Sequence, residues 1–104
     1  MTDKRVQQAA ARARCALGED FVSCFYDRVE SALGVEVIVV PLSKDGYSLT
    51  LGGRKVIVLA ATERWFRSNF TLAHELGHLL VKDVSSRDGQ AVENMANAFA
   101  ADLL

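Results

Sequence analysis

The stretch FTLAHELGHLLV, Phe70–Val81, holds both histidines of the chain, His74 and His78, four residues apart with Glu75 between them. Leu72, Leu76, Leu79 and Leu80 fall at helical spacing on the side opposite the histidines. The pattern predicts a helix with one packing face and one working face. Imidazoles at i and i+4 project one turn apart and can converge on one Zn²⁺ at about 2 Å. Glu75, rotated by one position, points beside such an ion, where its carboxylate can take a proton from an activated water. Gly77 costs the helix about 1 kcal/mol relative to alanine, which is tolerable where another element packs close to that backbone.

Hydrolysis at zinc asks for three protein ligands and an open position. The chain has no third histidine. Asp83, Asp88, Glu93 and Asp102 are the carboxylates that follow. Glu93 leads, because an antiparallel turn between helices would return it to the level of the histidines. Asp83 and Asp88 would have to swing in from a loop. Asn97 lies four residues after Glu93 on the same helical face, where an amide can hold a histidine's second ring nitrogen. Cys15 and Cys24 have no CxxC spacing and read as reduced, partly buried thiols. Finding either cysteine on the metal would argue for a closed structural site instead.

Outward from this stretch, the chain divides into helix, sheet and helix. Asp3–Leu17 is rich in helix formers and ends at Gly18. Asp20–Leu33 reads as a second helix with Gly34 as its cap. Val35–Val40 is a β-branched run ending at Pro41. Tyr47–Leu51 alternates, Gly52-Gly53 signals a hairpin, and Arg54–Ala60 is the return strand. The active helix starts either at a Ser68 or Asn69 cap or nearer Arg64. Val84–Gly89 is a polar connection, and Gln90–Leu104 is a last, alanine-rich helix. The expected fold is α+β: N-terminal helices, a small antiparallel sheet of about three strands, the HExxH helix and a following C-terminal helix, a minimal zincin-like core. All 104 residues read as one domain.

Twelve basic residues against thirteen acidic ones leave a net charge of −1. That gives no whole-domain attraction to nucleic acid or an anionic membrane. Lys4, Arg5, Arg12 and Arg14 form a short basic face that reads as solvated. No apolar run reaches the roughly 20 residues of a membrane span. The N-terminus has no signal-peptide core, so cytoplasmic residence is the default.

FTLAHELGHLL followed by ENMANAFAADLL resembles the ImmA/IrrE family of metallopeptidase-like proteins. With the preceding strands, the resemblance covers about Leu33–Leu104. It implies metal ligands at His74, His78 and Glu93, Glu75 as the catalytic glutamate and Asn97 as the motif asparagine. It also implies Zn²⁺, and a regulatory protein as substrate or partner, a helix-turn-helix repressor being the leading expectation. The alternative is a non-catalytic zinc module that acts by binding such a repressor. The histidine that often follows the active helix in this family is absent here, with Lys82 in that neighbourhood. Family members often continue with further helices, so the chain is either a compact member or a core without its C-terminal part. The reaction also needs a donor for the oxyanion. Tyr47 is the first candidate, with Tyr26, Arg64 and Arg67 behind it. A substrate strand could add to an exposed edge formed by YSLTL or VIVLA.

Overall fold

The computed structural model describes residues 4–62, 65–81 and 89–104, with the side chains of residues 65 and 66 left aside. The elements run α1 (Lys4–Leu17), a short 3-10 turn (Phe21–Cys24), α2 (Phe25–Leu33), β1 (Val35–Val40), β2 (Gly46–Leu51), β3 (Arg54–Ala60), α3 (Trp65–Leu80) and α4 (Gly89–Leu103). This is the expected α+β class. Arg64, Lys82, Asp83 and Asp88, and most of the polar connection, lie outside the described residues.

α1 stops at Gly18, whose φ of +88° is a conformation that favours glycine. Its last carbonyl, that of Leu17, accepts a 2.6 Å hydrogen bond from Arg28 Nη1 on α2. The guanidinium thus satisfies an end group of one helix from the next. Replacing Arg28 with alanine should lower stability by about 1–3 kcal/mol, read as a lower urea midpoint at unchanged m-value. The expected single helix over Asp20–Leu33 is instead a 3-10 turn followed by α2. The cause is local: Asp20 is left-handed at φ 55°, and Ser23 bonds the Asp20 carbonyl through both its N–H and its hydroxyl. Such side-chain bonds compete with regular helix.

The three strands are ordered β1-β3-β2. β2 and β3 form the expected antiparallel hairpin, with Gly52 and Gly53 both at positive φ in the two-residue turn. β1, however, pairs with β3 in parallel, from Val35↔Lys55 to Val40↔Ala60. The sheet is therefore mixed, not antiparallel throughout. Burial explains the order. Val56, Ile57, Val58 and Leu59 are all buried, and a strand apolar on both faces belongs in the middle. The segment between β1 and β2 crosses the end of β3 and is tied there by Ala60 N–H to the Asp45 carbonyl and Ala61 N–H to the Val40 carbonyl. Consequently VIVLA is central, and among the described residues β1 and β2 are the edges.

One sheet face carries Ile57 and Leu59 into the core, against residues of all four helices. α3 lies over β2 and β3, and α4 packs between α3 and α1. Phe99 of α4 is fully buried, as are Leu72 and Leu76 of α3. α3 begins at Trp65, so Ser68 and Asn69 are inside the helix rather than at its cap. Both cysteines are exposed, not partly buried. Among the described residues, no helix is long and apolar enough to cross a membrane.

Candidate metal centre

The amphipathic phase of α3 sets the site. Leu72, Ala73 and Leu76 pin one face to the core, which turns His74 and His78 toward α4. Their rings meet edge to face with centroids 4.9 Å apart. From α4, Glu93 Oε2 lies 2.9 Å from His74 Nε2 and Oε1 lies 3.1 Å from His78 Nε2. The two Nε2 atoms are 3.2 Å apart. His74 Nδ1 lies 2.8 Å from Asn97 Oδ1. A side-chain amide oxygen only accepts, so Nδ1 donates to Asn97, which leaves Nε2 of the neutral ring as the nitrogen that can act as a ligand in the cluster.

These contacts test whether a metal fits. A carboxylate oxygen and an acceptor nitrogen at 2.9 Å repel unless a cation lies between them. One proton can bridge one such contact, but three donor atoms converge here. The 3.2 Å between the ring nitrogens is close to the roughly 3.3 Å edge of a tetrahedron with bonds near 2.0–2.1 Å, and with one oxygen taken from Glu93 the three ligand atoms all lie within 4.8 Å of one another. The donor set therefore suits one divalent cation, which His74, His78 and Glu93 would hold. This trio is the candidate metal group among the described residues.

Close helix packing makes that convergence possible. A Cβ on Gly77 would meet Ala96 Cα at 3.0 Å, the Ala96 carbonyl oxygen at 3.2 Å and Phe99 Cβ at 3.2 Å. The missing side chain lets α4 approach until Glu93, one turn before Ala96, reaches the imidazoles. Gly77→Ala would gain about 1 kcal/mol of helix propensity but incur about 1–3 kcal/mol of overpacking against backbone that yields little. The net expectation is a lower Tm together with weaker metal binding, checked by thermal unfolding with and without added zinc.

Glu75 is buried and lines a cleft of about 360 Å³ with His74, Glu93, Asn97, Asp45, Gly46, Phe70 and Thr71. The structure thus gathers five expected residues, His74, Glu75, His78, Glu93 and Asn97, at one place. Tyr47 is not among the cleft residues. A Cβ on Gly46 would point at the Thr71 side chain of α3, so the next residue along the strand faces the other way. Tyr47 pairs with Val58 and shares its sheet face, away from the histidines. Tyr26 lines a separate groove beside the 3-10 turn. Arg67 is ion-paired to Asp45 at 2.7 Å. Asp102 is nine residues beyond Glu93 and outside the ligand group.

The cleft wall made by Asp45 and Gly46 went unread in the sequence, where Asp-Gly signals only a turn. Phe70 and Thr71 were accessible, since they precede His74 by four and three residues and share its helical side.

Gly46 has a further property. Ala60 N–H bonds the Asp45 carbonyl, and Gly46 sits opposite Leu59. The alternation of an antiparallel ladder then turns the N–H and C=O of Gly46 and Ser48 away from β3, toward the free edge of β2.

A family model described as peptidase M78, IrrE N-terminal-like domain, matches residues 30–104. No curated protein matches the chain.

Proposed function

Because the chain belongs to the IrrE N-terminal-like domain family and carries a metallopeptidase-like domain, we propose that it is a zinc-dependent peptidase acting on a regulatory protein. The observation that supports this reading is the convergence of His74, His78 and Glu93, with Glu75 lining one cleft beside His74 and Glu93. When bound, zinc supplies a Lewis acid that acidifies water and polarises a carbonyl.

The protein's own groups do the rest. Asn97 fixes the tautomer and orientation of His74. Glu75, buried beside the ligands but not among them, takes the proton of the attacking water and returns it to the leaving amine. Burial of Glu75 keeps that proton from exchanging freely with solvent. The free edge of β2 receives an extended substrate as an added strand, with Gly46 N–H as a backbone donor next to the reacting carbonyl. Gly46 takes this place in the present arrangement, where Tyr47 faces away.

The substrate class rests on the resemblance to ImmA/IrrE regulators: a helix-turn-helix repressor, met in the cytoplasm, with no direct nucleic-acid contact. The test is incubation of the zinc-loaded chain with such a repressor, followed by intact-mass spectrometry. The expected result is one or a few defined cuts, stopped by a chelator and restored by zinc. A repressor that stays whole in a stable complex would replace this reading with that of a zinc-bearing binding module.

A further inference from the structure

The metal cleft does not end at His74. Asp45 and Thr71 line both it and an adjoining pocket of about 230 Å³ that also includes Lys44, Arg67, Ser43 and Ser68. Arg67 precedes His74 by seven residues, so it shares the same helical face about 10 Å along the axis. Arg67 does not line the metal cleft, but its partner Asp45 does, so the guanidinium sits beside the cleft, where it can meet a substrate farther along its chain. An extended strand advances about 3.3 Å per residue, which makes the gap roughly three residues.

The chemistry of the pocket is directional. Arg67 is the cation aimed into it, beside Asp45, while the Lys44 ammonium lies over the Tyr47 ring, 5.9 Å from its centroid; the serine and threonine hydroxyls can donate. Arg67 gives Nε–H and Nη2–H to a single oxygen, Asp45 Oδ1, at 3.1 and 2.7 Å. A guanidinium has five N–H groups, so three are not taken up by Asp45. Both partners are more than half exposed, at 53% and 55%, and such a pair is weak in water. An incoming anion can share the guanidinium or displace Asp45 at little cost.

Resting on the peptidase reading above, we propose that Arg67 forms a specificity subsite for a substrate carboxylate, an aspartate or glutamate about three residues from the scissile bond. Asp45 holds Arg67 extended in the free protein and repels acidic residues that fall nearer the metal, which sharpens the register.

A peptide library cleaved by the zinc-loaded chain tests this. Wild type should favour an acidic over a neutral residue at that one position by about tenfold, the ratio one charge-assisted hydrogen bond supplies. Arg67→Gln should erase the preference, Arg67→Lys should restore most of it, and Lys44→Gln should leave it in place. Calorimetry of the same acidic and neutral peptides on the zinc-loaded Glu75→Gln protein should give the same ratio without turnover. Cleavage with no acidic preference, or a preference untouched in Arg67→Gln, overturns the subsite and leaves the peptidase standing. Neither cleavage by wild type nor peptide binding by Glu75→Gln overturns both.

Discussion

Glu75→Gln should leave zinc bound at one ion per chain and lower hydrolysis about 10²–10⁴-fold, the usual contribution of a positioned acid–base group. The amide matches the carboxylate in shape, so the packing of this buried side chain is kept. The candidate metal group is His74, His78 and Glu93 without Glu75, so metal content should not fall. What is lost is the ability to accept a proton. A loss confined to kcat, at equal zinc content and equal Tm, identifies Glu75 as the base. Retained turnover would mean that another group in the cleft does this work.

Glu93→Gln should have the opposite signature, with zinc affinity falling by more than the roughly 10–100-fold that loss of a supporting partner costs. Glu93 contacts both imidazoles, one through each oxygen. Glutamine keeps the length of the side chain but removes the charge that offsets the cation. Glu93 is also half exposed, at 53%, so its loss leaves no unpaired buried charge and the fold should survive. Competition with a chromophoric chelator reads the affinity, and circular dichroism checks that α4 is intact. Unchanged zinc affinity would place the third ligand elsewhere.

Much of this site was legible in the sequence because helices translate spacing into direction. His74 and His78 at i and i+4, leucines on the far side, and Glu93 with Asn97 one turn apart need only a helical phase and a short turn. The glycine at 77 hinted at close packing, and the backbone of Ala96 is what it admits. The sheet was less readable. Its strands follow from β-branched runs and the Gly52-Gly53 turn, but their order depends on which strand is covered on both faces. That is a property of the packed chain, and it put β3 between β1 and β2 and made one pairing parallel. The same limit applies to Tyr47. A side chain on a strand faces one side or the other according to register, and one residue decides. Gly46 takes the side toward α3, so Tyr47 takes the other. Asp45 reaches the cleft only because the segment before β2 crosses the end of β3, which no local pattern records.

The central claim is that His74, His78 and Glu93 hold one catalytic metal. X-ray absorption at the zinc edge of the purified, zinc-loaded chain tests it most directly. One zinc per chain is expected, with nitrogen and oxygen ligands near 2.0–2.1 Å, two of them imidazoles, and no sulfur. The multiple-scattering signal of imidazole should be halved in His78→Ala. Sulfur at about 2.3 Å, from Cys15 or Cys24, or a chain that binds no zinc at all, would contradict it.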